Sequence, residues 1–339
     1  MKAVILAGGL GTRLRPVTGE HPKPMVSLLG RPVMEHIVEL LRQNGYTHIC
    51  AALHYRAGEI MAHFGDGRRF GVELEYRIET ENLGTAGSVK NCRDFYKDED
   101  FLVISGDAAC DYDLGLLMQV HKERGAAATL ALSAEKIPLR YGLAVTDSEG
   151  RIRSFIEKPS WPRVVTDLVN TGIYVLSPAA MERVPDGPFD FGRDLFPKLL
   201  KEGAALYGQL MGGYWRDIGT PQDYYRCCAD ALDGRLRLTP GAAFQLAGRP
   251  EIADEDEEGY VLSCDCEDRA RLMGTLSELM LDLGASFDDG IRLSGKDFEL
   301  HISPSAVRSA VRIAVRAEDA ELARELCLSA KEVAEKLGM

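Results

Sequence analysis

The chain has no apolar run long enough to cross a membrane, and its N-terminus carries no basic region followed by a signal-peptide core. These absences argue against a membrane protein and predict a cytoplasmic location. The chain also lacks an excess of positive charge, because its formal net charge is −12 at pH 7. That balance argues against a nucleic-acid surface. It leaves nucleotides open as ligands, since a few local cations and a metal ion can bind them.

Metal-binding cysteine pairs and sequence repeats are missing as well. The eight cysteines are scattered through apparent strands and helices, and Cys264-x-Cys266 has no second pair that would complete a zinc site. We therefore predict reduced, mostly packed thiols. No six-residue period follows residue 233, which argues against a β-helix. At 339 residues the chain is long for one hydrophobic core, and two domains are expected.

A glycine-rich turn follows the first apolar segment, residues 2–7. The turn consists of Gly8, Gly9, Leu10, Gly11, Thr12 and Arg13. Ten residues later Lys23 stands between two prolines. Glycines allow backbone angles and close approaches that side chains forbid, so consecutive N–H groups can converge on phosphate oxygens. Since Arg13 and Lys23 add positive charge, the turn predicts a phosphate-binding loop.

Two familiar phosphate loops do not fit this turn. The dinucleotide-binding fingerprint requires a third glycine where Leu14 stands, and the P-loop ends in Gly-Lys-Ser/Thr. A tight surface turn without a ligand is the plainer interpretation of an isolated glycine-rich segment. The Thr-Arg pair and the returning Lys23 favour a different kind of phosphate-binding loop.

Short apolar strands alternate with helical patterns through the first two-thirds of the chain. Strands are predicted for residues 2–7, 48–53, 73–76 and 101–105, and helices for residues 33–44 and 114–124. This alternation predicts an α/β fold of the Rossmann-like type, with a mostly parallel sheet and helices on both faces. Ligands of such sheets bind at the carboxyl ends of the strands. The glycine-rich turn and Gly106-Asp107 both follow strands and are expected to meet there.

Two aspartates are candidate metal ligands. Asp107 follows the strand at residues 101–105, and Asp217 lies between the aromatic pair Tyr214-Trp215 and a predicted helix start. A cap of the next helix or turn is the ordinary role of an isolated Gly-Asp. Two carboxylates beside a phosphate loop suit Mg²⁺, which can hold a triphosphate and neutralise charge on a transferred phosphoryl group.

Residues 1–233 resemble the sugar-phosphate nucleotidyltransferases, in particular the bacterial mannose-1-phosphate guanylyltransferases that are fused to a phosphomannomutase-like region. Besides the glycine-rich turn with its Pro-Lys-Pro, the matching motifs are ENLGTAGS (81–88), SGDA (105–108), YG (141–142), EKPSW (157–161), NTGIY (170–174) and YWRDIG (214–219). The resemblance implies Mg²⁺-dependent transfer of a nucleoside monophosphate from an NTP to a sugar 1-phosphate. GTP and mannose 1-phosphate are the expected substrates. A UTP- or dTTP-dependent glucose-1-phosphate nucleotidyltransferase is the alternative.

The resemblance also implies roles for individual residues. Arg13 and Lys23 would stabilise the α-phosphate and the departing pyrophosphate. The nucleotide would be bound by Gly8, Gly9, Gly11, Thr12, Leu83, Gly84 and Thr85. The sugar phosphate would be bound by Gly142, Glu157, Lys158 and Asn170, and Mg²⁺ by Asp107 and Asp217. Taken alone, Glu157-Lys158 is equally well interpreted as a solvated surface pair.

The segment that resembles the nucleotidyltransferases ends at residue 233, and a linker and a second domain are predicted after it. Residues 234–259 are predicted to be a linker, whose acidic run at 254–258 is a solvated turn rather than a metal loop. Residues 260–339 are predicted to form a small α+β domain that resembles the C-terminal domain of phosphohexomutases. The phosphate loop of that family is altered here, because residues 303–309 read SPSAVRS and lack its glycine, threonine and first arginine. We expect this domain to be non-catalytic, with a structural, oligomerising or regulatory role.

Two classes of function fit these residues: an active nucleotidyltransferase and a non-catalytic nucleotide-sugar sensor. A sensor has no need of both metal acids, so the joint presence of Asp107 and Asp217 with Arg13, Lys23 and Lys158 favours the enzyme. A mutase is excluded because no serine nucleophile segment exists. The expected partners are an NTP and a sugar 1-phosphate, without nucleic acid or membrane, and homo-oligomer formation stays open.

Overall fold

A computed structural model describes residues 1–238, 260–265, 269–281, 283–286, 290–304, 310–317 and 319–338. Spatial contacts divide the chain into two compact units. The first comprises Met1–Ser133, Thr146–Phe155 and Asn170–Ile252. The second comprises Ala134–Val145, Ile156–Val169 and Ala253–Met339, so it combines the C-terminal part of the chain with two earlier segments. The sequence-based boundaries at residues 233 and 260 stay predictions.

The strands of residues 1–238 alternate with helices, as the sequence predicts. The strands are β1 (Lys2–Ala7), β2 (Ser27–Leu28), β3 (Arg31–Pro32), β4 (His48–Leu53), β5 (Glu73–Ile78), β6 (Phe101–Ser105), β7 (Ala108–Cys110), β8 (Ala128–Ala134), β9 (Gly142–Thr146), β10 (Ile152–Glu157), β11 (Leu168–Leu176), β12 (Leu206–Leu210) and β13 (Trp215–Asp217). The helices are α1 (Arg15–Thr18), α2 (Val33–Gln43), α3 (Ala57–Phe64), α4 (Gly84–Lys90), α5 (Arg93–Tyr96), α6 (Leu114–Arg124), α7 (Pro178–Met181), α8 (Phe196–Lys201) and α9 (Pro221–Leu232). Single helical turns at Thr12–Leu14, Lys23–Met25, Trp161–Arg163 and Phe191–Leu195 lie between them.

The centre of the main sheet is parallel. Strands β5, β4, β1 and β6 lie side by side in that order, and each neighbouring pair runs in the same direction. The side chains of β1, β4 and β6 are largely buried on both faces, which is why these three strands are almost continuous apolar runs, whereas β5 is only partly buried. The predicted strands at residues 2–7, 48–53 and 101–105 are confirmed, and the predicted strand 73–76 extends by two residues. A mixed α/β fold with a mostly parallel central sheet is confirmed.

Antiparallel pairings also occur in residues 1–238. Strand β11 pairs antiparallel with β6, from Ile173 opposite Ile104 to Leu176 opposite Phe101. Strands β7 and β13 form a separate antiparallel ribbon. In this ribbon Asp217 stands opposite Ala108, the residue that follows Asp107, so the ribbon joins parts of the chain that are far apart in sequence.

The C-terminal elements form a small α+β structure. They are β14 (Tyr260–Asp265), α10 (Arg269–Leu281), β15 (Ile291–Ser294), β16 (Phe298–Pro304), β17 (Ala310–Ala317) and α11 (Ala320–Gly338). The strands pair antiparallel in the order β14, β17, β16, β15, and together with the two helices they agree with the α+β character predicted for this part of the chain. Most of the predicted linker, the acidic run at 254–258, Cys266 and residues 305–309 lie outside the described residues.

Two further predictions concern cysteines and the membrane. Each of the seven described cysteines is a free thiol, and all but Cys228 are buried. In the described part of the chain, none of the helices combines the length and the apolar character that a membrane span requires.

Candidate active site

The carboxyl ends of β1 and β6 lie side by side. The register pairs Leu6 with Ser105, and the Gly106 N–H donates to the Leu6 carbonyl oxygen at 2.8 Å. A Cβ atom built on Gly106 would lie 3.0 to 3.1 Å from Ile5, Leu6 and Ala7, so a side chain at this position would press on β1. The glycine therefore lets Asp107 leave its strand next to the start of the glycine-rich turn.

The glycine-rich turn continues directly from β1. Gly11 has a φ of +57°, and a Cβ atom on it would lie 2.8 Å from the Lys23 Cβ. A side chain at Gly11 would therefore be strained and would push Lys23 away. Leu14 is buried and anchors the turn, whereas Arg13 is exposed, and its guanidinium group has no hydrogen-bond or ion-pair partner among the described residues. Gly9 has no atom within 4 Å of its built Cβ, so the space above it is open.

Lys23 connects the two predicted metal ligands. Its ammonium group lies 2.8 Å from Asp107 Oδ2 and 3.0 Å from Asp217 Oδ1. Only 9% of Lys23 is exposed. Burial by itself lowers the pKa of Lys23, but the two carboxylates raise it well above its ordinary value. Burial also raises the pKa of Asp217, against the opposing effect of the Lys23 charge.

The β7–β13 ribbon brings the two aspartates together. A Cβ atom on Gly219 would lie 3.0 Å from Asp217 Oδ2, so this glycine leaves room for the carboxylate. The ribbon is fixed at its far end by Asp111, whose Oδ1 accepts from the Tyr214 N–H at 2.7 Å. Behind β13, the Tyr214 hydroxyl donates to buried Asp230 at 2.7 Å. These contacts position Asp217 through its neighbours in the strand.

The oxygens of Asp107 and Asp217 suit a hard divalent cation. Both carboxylates already contact one cation, the Lys23 ammonium group. Carboxylate oxygens are also the protein ligands that Mg²⁺ prefers. No group of three or more His, Cys, Asp or Glu side chains with metal-binding geometry occurs among the described residues. An ion at this place would therefore take its other ligands from water or substrate phosphates, as Mg²⁺ commonly does.

The segment Leu83–Thr85, predicted to contact the nucleotide, begins helix α4. Gly84 has a φ of +67°, and a Cβ atom on it would lie 2.8 Å from the Phe189 carbonyl oxygen. That carbonyl accepts from the N–H groups of Ala86 and Gly87, at 2.8 and 3.0 Å. The first free N–H groups of the helix are thus satisfied within the protein.

Thr85 is held by Asp190, which the sequence analysis did not identify. Asp190 Oδ1 accepts from the Thr85 N–H at 3.0 Å and from its hydroxyl at 3.2 Å. The Thr85 hydroxyl in turn accepts from the Phe191 N–H at 3.0 Å. The two segments are separated by about a hundred residues, so no local pattern could have paired them.

Glu79 is a second residue that the sequence analysis missed. It follows β5 at the carboxyl edge of the sheet and is 7% exposed. Its Oε1 atom is buried without a hydrogen-bond partner among the described residues. Burial raises the pKa of Glu79, opposed by hydrogen bonds with the Ser88 side chain and the Leu83 backbone. The available signal was an acidic residue just beyond a predicted strand at the ligand-binding edge.

The predicted sugar-phosphate residues divide between the two units. Gly142, Glu157 and Lys158 belong to the second unit, and Asn170 belongs to the first. Lys158 is exposed, has a left-handed φ of +42° and donates its N–H to the Tyr141 carbonyl oxygen at 3.1 Å. The Asn170 side chain makes local contacts, accepting from the Gly172 N–H at 3.1 Å and donating to the Tyr174 hydroxyl at 2.9 Å.

The glycine-rich turn, Lys23 and the two aspartates all lie in the part of the chain that matches a known family. The family profile described as Nucleotidyl transferase matches residues 2–234. A UTP--glucose-1-phosphate uridylyltransferase from Synechocystis is 39% identical over 251 residues, which cover 70% of this chain and 65% of that protein. A mannose-1-phosphate guanylyltransferase from Mycobacterium tuberculosis is 37% identical over 234 residues, which cover 68% of this chain and 65% of that protein.

A solved structure supports the same relationship. The crystal structure of HddC from Yersinia pseudotuberculosis complexed with GMP-PN superposes with a TM-score of 0.58 at 32% identity, covering 67% of this chain and 97% of that one. The match covers 65% of each of the two curated relatives, which is less than two-thirds of their own length. On the extent of the profile match and these identities, the chain belongs to the nucleotidyl transferase family.

Proposed function

We propose that this chain is an Mg²⁺-dependent nucleotidyltransferase that joins a nucleoside monophosphate to a sugar 1-phosphate. The reaction releases pyrophosphate and an NDP-sugar. The observation that carries the proposal is the ammonium of Lys23 held between Asp107 and Asp217 at 2.8 and 3.0 Å, beside a glycine-rich turn. Such a cluster serves to place and neutralise phosphate charge, and phosphoryl transfer depends on these two effects.

The reaction needs positioning more than proton transfer, because the attacking sugar phosphate is already anionic. One of its oxygens bonds to the α-phosphorus of the NTP in line, while the bond from that phosphorus to the bridging oxygen breaks and pyrophosphate leaves. Arg13 and Lys23 would stabilise the charge on the α-phosphate and the leaving group. Asp107 and Asp217 would hold Mg²⁺, which when bound neutralises charge on the phosphates.

Lys158 and Glu157 are proposed to bind the sugar phosphate. Lys158 is exposed and forms no ion pair with a described residue, so its ammonium group is available to a phosphate. Glu157 would accept hydrogen bonds from sugar hydroxyls, and Asn170 and the Gly142 backbone would complete the sugar contacts. The relatives named above are a glucose-1-phosphate uridylyltransferase and a mannose-1-phosphate guanylyltransferase, which supports a sugar 1-phosphate as the acceptor.

Guanine is the base that we propose for the NTP. A carboxylate such as Glu79 can accept from both the ring N–H and the exocyclic amino group of guanine. Uracil and thymine place carbonyl oxygens on either side of one N–H, and a carboxylate would repel them. The buried, unpaired Oε1 of Glu79 and its contact with Leu83 support this choice. The similar structure with GMP-PN bound is consistent with it.

A substrate matrix tests the proposed function. Each NTP is offered with mannose, glucose or N-acetylglucosamine 1-phosphate, Mg²⁺ and pyrophosphatase, and phosphate release is recorded. We expect the fastest turnover with GTP and mannose 1-phosphate. Asp107→Asn and Asp217→Asn should each lower turnover by about 10³-fold or more, because each removes a ligand charge without changing shape. Near-normal turnover in both variants would contradict the two-acid assignment.

A Glu79→Gln variant tests the choice of base. Glutamine keeps the shape of the side chain but presents an N–H in place of one oxygen, so we expect GTP turnover to fall relative to UTP. Turnover of no NTP by the unmodified chain, together with binding of a nucleotide sugar, would instead favour the sensor. We further propose that residues 260–339 descend from a phosphohexomutase C-terminal domain and take no part in the chemistry.

A further inference from the structure

Helix α10 packs against the single turn Trp161–Arg163, and both belong to the second unit. The same helix contacts β15, β16, β17 and α11. Leu272 and Leu276 form part of its buried face. The helix therefore connects the C-terminal sheet with the segment that follows Glu157 and Lys158.

Gly274 lies where the helix backbone meets this turn. A Cβ atom built on it would lie 3.7 Å from the Trp161 carbonyl oxygen and 3.8 Å from the Val164 carbonyl oxygen. Those distances are ordinary van der Waals contacts, so an alanine methyl group fits here. A leucine side chain extends beyond the methyl position, and it would press on the turn. The contact between Gly274 and the turn should therefore tolerate alanine at position 274 but not leucine.

Trp161 fixes the turn by packing. Its side chain is fully buried, and its Nε1 atom has no hydrogen-bond partner among the described residues. A buried donor without an acceptor is destabilising, and the packing of the indole must offset this loss. The position of the turn therefore depends on the apolar surfaces around Trp161, and α10 is one element that packs there.

Lys158 lies three residues before Trp161 and has a backbone conformation that needs support. A left-handed φ is unfavourable for a non-glycine residue, so such residues persist where the surrounding structure holds them. One support is the hydrogen bond from the Lys158 N–H to the Tyr141 carbonyl oxygen. The chain then runs from Lys158 into the buried turn at Trp161, three residues further on.

We infer that α10 is a positioning element for the sugar phosphate, with Gly274 and Trp161 as positioning residues that hold Lys158 in its binding conformation. The inference rests on the proposed function, because it assigns the sugar phosphate to Lys158. It gives the C-terminal domain a part in substrate binding without placing any of its residues in contact with substrate.

The test compares two leucine substitutions on one helix of the full-length chain. Gly274→Leu alters the contact with the turn, whereas Glu278→Leu places the same side chain at an exposed position. We expect Gly274→Leu to raise the KM for the sugar phosphate by tenfold or more and to leave the KM for the NTP within threefold. Gly274→Ala and Glu278→Leu should match the unmodified chain. An equal rise in both KM values for Gly274→Leu would show general damage and overturn the inference.

Tryptophan fluorescence provides a readout that does not depend on the reaction. The chain has two tryptophans, so a Trp215→Phe background, used for emission alone, isolates Trp161. Gly274→Leu should shift the Trp161 emission to longer wavelength, and Glu278→Leu should not. An unchanged emission would show that the contact is absent in solution. A shift with an unchanged sugar-phosphate KM would overturn the positioning role alone. Failure of the unmodified chain to transfer any nucleotide would overturn the proposed function itself.

Discussion

Lys23 is the residue on which the charge balance of the site depends. It supplies the positive charge that keeps Asp107 and Asp217 close together, and the same ammonium is proposed to act on the substrate phosphates. Mg²⁺ at the two carboxylates and Lys23 would therefore compete for one place, and Lys23 would turn toward the phosphates when the metal binds.

Replacing Lys23 with Met should separate these two roles. The variant leaves the two carboxylates without their cation, so we expect the protein without nucleotide to bind Mg²⁺ about tenfold more tightly. Turnover should nevertheless fall by about 10²-fold or more, because the lysine no longer reaches the phosphates. Calorimetric titration with Mg²⁺ measures the first effect. Asp217→Asn is the control, since it should weaken Mg²⁺ binding, and weaker binding in Lys23→Met would refute the competition.

Lys158→Ala tests the sugar-phosphate assignment at the scale of one side chain. Loss of a charge-assisted contact should cost about 2 to 3 kcal/mol, which corresponds to a rise of about 30- to 150-fold in the KM for the sugar phosphate. The KM for the NTP should stay nearly unchanged. Arg153→Ala is a matched control, because Arg153 is an exposed cation of the same strand region that pairs with Asp147. An equal rise in the KM values for both substrates would mean that Lys158 acts through long-range electrostatics and not through a direct contact with the sugar phosphate.

At the scale of the element, the start of helix α4 is stabilised by hydrogen bonds with a distant segment of the chain, Phe189 and Asp190. The segment at Phe189 and Asp190 satisfies the N–H groups of Thr85, Ala86 and Gly87, so the backbone of Leu83 and Gly84 is held in one conformation. Helix N-termini commonly bind anions through free N–H groups. Here those groups are occupied, and the glycine-rich turn is the better candidate for the phosphates.

Asp190→Ala should destabilise the conformation of the Leu83–Thr85 segment at the start of α4. It removes the acceptor of two Thr85 donors, and we expect the KM for the NTP to rise by about 5- to 30-fold, equivalent to about 1 to 2 kcal/mol. The KM for the sugar phosphate should stay unchanged. Asp186→Ala is a suitable control because Asp186 is a nearby exposed carboxylate that pairs with Lys90. The prediction fails if the two variants have the same nucleotide KM.

At the scale of the whole molecule, two buried histidines make stability depend on pH. The His36 ring contacts the Leu28 carbonyl oxygen at 2.8 Å, and the His121 ring contacts the Thr129 hydroxyl at 3.0 Å. Burial lowers the pKa of each ring below its ordinary value of 6.5. The unfolded chain therefore binds more protons than the folded chain as the pH falls below 6.5.

The free energy of unfolding should accordingly decrease on acidification. Each histidine contributes a slope of at most about 1.4 kcal/mol per pH unit between 6.5 and its lowered folded-state pKa, and no slope above that window. Urea unfolding at pH 7.5, 6.5 and 5.5 measures the effect. His121→Gln should reduce the decline, and His48→Gln, which changes an exposed histidine, should not. A stability that is constant between pH 6.5 and 5.5 would refute the prediction.

The local parts of this fold follow from the sequence because short-range physics determines them. Strands such as β1, β4 and β6 are apolar runs that only a sheet buried on both faces can accommodate. The helices α2 and α6 end beside Gly45 and Gly125, where a left-handed residue stops the helix. The end of β1 at the glycine-rich turn also followed, because glycine disfavours a continuing strand and allows the backbone angles of a turn.

The tertiary structure alone decided which distant residues meet. Asp217 reaches Lys23 because β13 pairs with β7, and Thr85 is held by Asp190, with no periodicity or spacing that links either pair. The packing of α10 on the turn at Trp161 is of the same kind. Hydrophobic pattern and turn chemistry act over a few residues and fix elements. Contacts between elements depend on how the whole core packs, so the sequence pointed to Lys23, Asp107 and Asp217 but missed Glu79 and Asp190.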